Sequence, residues 1–251
     1  MKFTRDSFSD SWREALEAMS LRIAIVGYGK MGQMVARLAP EYDCEVVRVV
    51  RSKENEDGRA LTPAALNGAD VAIEFTMPAV ATANLRRLMR AGVPVVTGTT
   101  GWFKELPEIR ELAAASDAGV LWGPNFSVGL HHFRKIVAEA ARRFANEDAY
   151  DAWGWEIHHA AKRDSPSGTL LALAEEMARS GYARPVNLSA NRAGSMPGTH
   201  EIGFDSVEDT ITIRHQARSR DGFARGALRA ARWLAGKKGF FEFQEIADEL
   251  Q

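Results

Sequence analysis

The fourteen residues EIHHAAKRDSPSGT, 156 to 169, place two adjacent histidines, a lysine and a Pro-Ser-Gly-Thr turn together in a chain of 251 residues that has only six histidines. Imidazole titrates near neutrality and an ammonium group holds its charge, so His158 with Lys162 suits a proton donor beside a cation for an anionic ligand. That chemistry serves the reduction of an unsaturated carbon next to an acid group, where a cofactor gives hydride and the protein gives a proton. If YDAWGWEIHH is a strand, His158 and His159 point to opposite faces and only one of them looks into a given cleft. Spacing alone also accommodates a solvated loop. The residues that follow favour a site. Ser165 reads as an N-cap and Pro166 as the first residue of a helix, and the free N–H groups there, with the Thr169 hydroxyl, make a cradle for a carboxylate. Asp164 reads as support for this turn.

A second group of residues lies near the start. IAIVGYGKMGQMVARLA sets Gly27, Gly29 and Gly32 in the order G-x-G-x-x-G, directly after an apolar run and directly before a helical pattern. Gly27 permits a tight turn, Gly29 lets the backbone approach a pyrophosphate, and Gly32 allows close helix–strand packing. This predicts dinucleotide binding. Where an NAD site usually places an acidic residue, CEVVRVV runs instead into Arg51, Ser52 and Lys53. A basic pair there matches a 2′-phosphate and favours NADPH, with Glu54 keeping NADH open. The loops GTTG (98–101) and GPNFS (123–127) fall at the carboxyl ends of expected strands, where ligands of open sheets bind, although turn chemistry alone also explains them. Glu74, inside VAIEFT, is unusual for a buried parallel strand and reads as an anchor for a neighbouring loop. His131 and His132 read as structural in an amphipathic helix. His200 and His215 lie in strand-like runs, as structural residues or as the lining of a cleft or interface.

These groups need elements to hold them. From Leu21 the chain alternates LRIAIV, a helix ending near Pro40, CEVVRVV, VAIEFT, a helix over 79–90, VPVVTG, a helix before Gly119, and VLWGP. Five strands with crossovers predict an α/β, doubly wound parallel sheet. The nucleotide domain is placed at residues 1–125. A smaller α+β domain at 126–217 leans antiparallel, with SVGLHHFRKIVAEAARRF as a long helix and a hairpin turning around Val207 to Asp209. Trp153 and Trp155 read as a packed sheet face. The tail reads as helical, with residues 218–251 packing back on the first domain. Phe8, Trp12, Leu16 and Met19 fall at helical spacing on one face of a docking helix.

Composition narrows the partners. The 32 basic and 33 acidic residues leave no overall field for nucleic acid or a membrane surface, which points to a small-molecule ligand. Cys44 is the only cysteine, so no intrachain disulfide forms, no Cys-based zinc site exists, and no metal is expected. A reducing, cytoplasmic location follows as the default. No uninterrupted run of 18 apolar residues and no signal-peptide pattern is present, so no membrane span is expected.

Taken together, GYGKMG, GTTG, PNFSVG, E-x-HH-xx-K-x-D-x-PSGT, the RAG at 192–194 and the GTHE run at 198–201 resemble the 4-hydroxy-tetrahydrodipicolinate reductase (dihydrodipicolinate reductase) family over nearly the whole chain from Leu21. The resemblance implies a Rossmann-type nucleotide domain with a substrate-binding and oligomerisation domain. It also implies an NAD(P)H-dependent step of bacterial lysine and diaminopimelate synthesis, and a homotetramer assembled through the second domain's sheet. By the same resemblance His158 looks like the acid/base residue and Lys162 like the proton donor. His159, Gly168 and Thr169 match substrate-binding positions. Gly27, Tyr28, Gly29, Lys30, Met31, Gly32, Arg51, Gly98, Thr99, Thr100, Pro124, Asn125, Phe126 and Ser127 match nucleotide-binding positions. The chain departs from the family pattern in three places. Ala160 and Ala161 replace a larger, often basic pair, the segment from Ser180 to His200 is short, and the first twenty residues are extra. Another amino-acid-pathway dehydrogenase on this architecture, or a nucleotide-binding sensor without catalysis, stand as alternatives; neither needs the long motif.

Overall fold

A computed structural model describes residues 20–56 and 58–250. The helical face expected at Phe8, Trp12, Leu16 and Met19 lies outside the described residues. The chain divides into two compact units, one running through Phe126 and resuming at Phe223, the other covering Ser127–Gly222.

In the first unit all five expected strands form: β1 (Leu21–Val26), β2 (Cys44–Val50), β3 (Val71–Glu74), β4 (Val95–Thr97) and β5 (Gly119–Trp122). Helices α1 (Lys30–Leu38), α2 (Pro78–Arg90) and α3 (Leu106–Ala114) cross between them, and every pair in the sheet is parallel. Ile23, Ile25, Val71, Ile73, Val95, Val96, Val120 and Leu121 are fully buried, the near-continuous apolar composition of strands covered on both faces. The tail departs from the all-helical expectation. After α6 (Asp221–Leu234), GFFE forms β10 (Gly239–Glu242), a sixth strand parallel to β5, and the order becomes β10-β5-β4-β3-β1-β2. A four-residue run opening on glycine carries almost no local strand signal, and its pairing with a strand more than a hundred residues earlier in the chain makes it one. Helix α6 fits its amphipathic pattern, burying Ala224, Ala227, Leu228, Ala231 and Leu234 along one stripe.

The second unit sets α4 (Val128–Phe144) and α5 (Gly168–Arg179) with a four-stranded sheet of order β7-β6-β8-β9, made by β6 (Asp151–His158), β7 (Asn187–Arg192), β8 (Thr199–Asp205) and β9 (Thr210–Gln216). The expected hairpin is β8–β9, and β6–β8 is also antiparallel, but β6–β7 is parallel and makes the sheet mixed. Strand β7, NLSANR, falls inside the short segment from Ser180 to His200. It is an edge strand with alternating exposure, polar enough to read as loop. Leu170, Leu173 and Met177 of α5 pack with Phe133, Val137, Ile202 and Phe204 to form the core.

Alternation along β6 decides what faces that core. Ala152, Gly154, Glu156 and His158 are buried, whereas Trp153, Trp155 and Ile157 are only half-buried. The packed face is therefore the one opposite the tryptophans. Trp153 lies over Gly203, where a Cβ would sit 2.2 Å from the indole, and Trp155 Nε1 donates to Asn191 Oδ1 at 2.6 Å.

Candidate active site

Each glycine of G-x-G-x-x-G has a distinct physical reason. Gly27 has φ +92°, and a Cβ there would come within 2.2 Å of the Phe75 carbonyl oxygen. A Cβ at Gly32 would come within 2.0 Å of the Gly27 carbonyl oxygen, so close helix–strand packing excludes any side chain. At Gly29 the same atom would meet nothing within 4 Å, which leaves an open approach to the backbone. Gly29 is the N-cap of α1 and supplies no side-chain acceptor, and no acidic residue lies in the first turn. The amides of Lys30, Met31 and Gly32 thus open a helix whose positive end is uncompensated by the chain, which fits a pyrophosphate. Arg51, just past β2, lays its guanidinium over the Tyr28 ring at 4.8 Å. Glu54 is held by Arg48 at 2.9 Å and lies 4.0 Å from Arg51, so its carboxylate is engaged with arginines.

At the carboxyl end of the same sheet Glu74 is fully buried and does anchor a loop. Thr97 Oγ1 donates to its Oε2 at 2.6 Å, and the Thr76 amide and hydroxyl both donate to Oε1. The Thr76 amide also donates to Thr99 Oγ1 at 2.8 Å, the Gly98 amide donates to the Glu74 carbonyl at 3.0 Å, and Trp102 Nε1 donates to the Thr99 carbonyl at 2.7 Å. Gly98 lies against Phe75, with no room for a Cβ. The loop Gly98–Thr100 is in this way tied to β3, with Thr99 buried and Thr100 exposed. Burial pushes the Glu74 carboxyl above its ordinary range against the pull of the Thr76, Thr97 and Thr99 hydroxyls. In the next loop Pro124 is exposed and Asn125 half-buried, while Phe126 packs with Phe75 and Phe243. The Ser127 hydroxyl accepts from the Leu130 amide as the N-cap of α4, so it serves the helix start.

The second unit gathers its polar groups around a residue that the sequence reading passed over. Glu156 is fully buried, and its Oε1 accepts from the Ser167 amide at 2.8 Å and from Arg192 Nη2 at 2.8 Å. Its Oε2 accepts from the Ser167 hydroxyl and faces His200 Nε2 at 3.4 Å and His158 Nδ1 at 3.6 Å. Pairing register brings these groups together: His158 is opposite Arg192 across β6–β7, and Glu156 is opposite His200 across β6–β8. The same carboxylate moves the helix start. Ser167 caps α5, accepting from the Leu170 amide at 3.1 Å, and Gly168 is the first helical residue; Ser165 is not the cap and Pro166 precedes the helix. Both serines suit the role by type, and only Ser167 has an acceptor for its own amide and hydroxyl.

Around this hub, Lys162 Nζ donates to both oxygens of Asp164 at 2.7 and 2.8 Å, and the Asp164 carbonyl accepts from Arg192 Nη2 at 2.5 Å. Lys162 hydrogen bonding holds the Asp164 carboxyl below its ordinary range, with a smaller contribution from the Gly168 amide. His159 begins the loop after β6, its amide donating to the Met196 carbonyl at 2.9 Å. Gly168 is exposed, with open space where a Cβ would be, and Thr169 is half-buried. Burial pushes His158 down to about 4, opposed by Glu156 and assisted by the charges of His200, Lys162 and Arg192. Burial also raises the cost of the Glu156 anion, yet hydrogen bonds from His200, Ser167 and Arg192 outweigh it and hold that carboxyl well below the carboxylate range. Glu156, His158 and His200 bring ligand-type atoms within 4.8 Å of one another. Arg192 and Ser167 already donate to both carboxylate oxygens, and Arg192 adds positive charge, so the cluster is built as a hydrogen-bonded network. Within the motif Glu156 carries no local sign of its role; Arg192 and His200 reach it from strands far along the chain, a placement with no local signature.

Comparison with known proteins adds the family context. Residues 21–126 match a family model described as dihydrodipicolinate reductase, N-terminus, and residues 129–247 match one described as dihydrodipicolinate reductase, C-terminus. A 4-hydroxy-tetrahydrodipicolinate reductase of Christiangramia forsetii is 33% identical over 244 residues, covering 92% of this chain and 99% of that protein. One from Desulfovibrio desulfuricans is 37% identical over 254 residues, covering 88% and 96%. Among solved structures, dipicolinate-bound dihydrodipicolinate reductase from Paenisporosarcina sp. TG-14 is similar with a TM-score of 0.75 at 23% identity, covering 91% of this chain and all of that one, a likeness of fold.

Proposed function

Because the chain belongs to the dihydrodipicolinate reductase family, we propose how its residues divide the work of that activity. The reaction is the NAD(P)H-dependent reduction of 4-hydroxy-tetrahydrodipicolinate to tetrahydrodipicolinate, a step of lysine and diaminopimelate synthesis. The bound nicotinamide supplies a hydride, and the net change takes up one proton and releases water. Residues through 125, with 218–251, hold the cofactor. The amides of Lys30, Met31 and Gly32 and the open backbone at Gly29 receive the pyrophosphate. Tyr28 and Arg51 serve the adenosine end, and Gly98–Thr100 with Pro124, Asn125, Phe126 and Ser127 form the rest of the nucleotide contact. Arg51, with Glu54 engaged by Arg48, supports a preference for NADPH over NADH.

Residues 126–217 bind the dicarboxylate. The observation that carries this reading is a buried His158 and a Lys162 ammonium beside a helix start that leaves Gly168 open and Thr169 within reach. Lys162 supplies the proton. His158, uncharged at neutral pH, acts as its base and hydrogen-bond partner. A substrate carboxylate takes the place of Asp164 on Lys162 and meets the amides at Gly168 and Thr169, with His159 beside it. The half-buried Trp153, Trp155 and Ile157 on the other face of β6 support a homotetramer assembled through this sheet. No helix among the described residues is long and apolar enough to cross a membrane, and the lone, buried Cys44 thiol supports a cytoplasmic site of action.

Steady-state assay of His158→Gln and Lys162→Ala tests the chemistry. Each is expected to lower turnover by about 10²–10⁴-fold while NADPH binding persists, and unchanged turnover in both removes the proton-transfer role. Arg51→Ala is expected to weaken NADPH more than NADH in a fluorescence titration, and equal effects remove the 2′-phosphate assignment.

A further inference from the structure

Four elements converge on the ring of His158. Glu156 faces it from its own strand, Lys162 from the loop that follows, Arg192 from β7 and His200 from β8, the last with ring centroids 5.1 Å apart and nearly perpendicular. Nδ1 is buried without a hydrogen-bond partner, and the Glu156 carboxylate oxygen at 3.6 Å is the acceptor in front of it. The Nε2 side lies against Gly198, where a Cβ would come within 2.8 Å of that nitrogen. A glycine with φ +151° therefore makes room for the Nε2 edge of the ring.

Two neutral tautomers are available to such a ring. With the proton on Nε2, the Nδ1 lone pair would point at a buried carboxylate, two electron pairs facing each other where little solvent screens them. With the proton on Nδ1, the same contact becomes attractive, and a small rotation of the ring brings it into hydrogen-bond range. Active-site hydrogen bonds are often long before a ligand binds.

We propose that Glu156 is a positioning residue: its carboxylate holds His158 with the proton on Nδ1, leaving the Nε2 lone pair for the reaction, and through Ser167 it seats the helix start that carries Gly168 and Thr169. One buried anion thereby sets both the proton-handling group and the carboxylate cradle, and links their geometry. The inference rests on the reading of His158, Gly168 and Thr169 as parts of the substrate site.

Long-range proton–nitrogen NMR of the imidazoles in the full chain, with His158 assigned through His158→Gln, tests the tautomer at pH 7 without reference to activity. The expected spectrum has a protonated Nδ1 and an unprotonated Nε2 at His158; the reverse pattern overturns the proposal. Glu156→Gln is expected to erase that preference and to lower kcat by about 10²-fold, with NADPH affinity unchanged. A fall in kcat with the His158 tautomer preserved would reduce Glu156 to a packing role and overturn the proposal as well. If His158→Gln keeps full turnover while the wild-type tautomer is as stated, the catalytic reading of His158 fails and the Glu156 geometry stands, so the two failures are separable.

Discussion

Among the described residues each unit of the molecule buries one glutamate completely, Glu74 at the end of β3 and Glu156 near the end of β6. Both carboxylates tie a loop to the strand that carries them, and both accept from hydroxyl and backbone donors. Their acid strengths nonetheless move in opposite directions. Glu74 has only neutral donors, and burial prevails, raising its pKa. Glu156 is also penalised by burial but has His200, Ser167 and the Arg192 guanidinium on it, and it stays an anion far into acid. Hydrogen bonds from His200 and Ser167, joined by a full positive charge at hydrogen-bond distance, separate a carboxyl that only fastens a loop from one that can also orient an imidazole.

The contrast has opposite consequences for stability against pH. Glu156, with its folded pKa depressed, contributes stability above its ordinary value of 4.5, and that contribution is lost as pH falls toward the folded pKa. Glu74, with its folded pKa raised, favours the fold most below 4.5 and loses that contribution as pH rises through its folded pKa.

The strongest way to break the comparison is Glu156→Gln, which leaves the half-buried Arg192 charge without its anion and is expected to cost about 3 kcal/mol at pH 7 by urea unfolding. The deficit relative to wild type should shrink as pH drops below 4.5; a variant as stable as wild type at pH 7 would show that the ion pair is not what distinguishes the two sites. Ser167→Ala removes an N-cap and a donor to the carboxylate together, with an expected loss of about 2 kcal/mol and a weaker KM for the dicarboxylate. A stability loss with KM unchanged would detach the cap from the binding site. Glu74→Gln is the mildest change, expected within about 1 kcal/mol of wild type at pH 5. It should gain on wild type as pH rises to 9, because the amide does not titrate. A loss that deepens with pH would mean that Glu74 is stabilised as an anion and would erase the contrast.

Much of this architecture is legible in one dimension. Apolar runs such as LRIAIV and VPVVTG mark strands covered on both faces, the glycines at 27, 29 and 32 mark a turn that tolerates no Cβ at two of its three positions, and the apolar surroundings in β3 make Glu74 stand out as an anomaly. NLSANR and GFFE are legible only after pairing, because an edge strand that is polar and a four-residue strand that opens on glycine take their conformation from partners rather than from their own propensity.

The sequence by itself determined the residue types available for chemistry, the parallel nucleotide-binding sheet, and the family to which the chain belongs, since these rest on local periodicity and on motifs contiguous along the chain. Tertiary structure alone decided which serine caps α5, which face of β6 is packed, and that Glu156 meets His158, Ser167, Arg192 and His200. Those contacts depend on strand register, and a shift of one residue would turn Glu156 and His158 to the opposite face of the sheet.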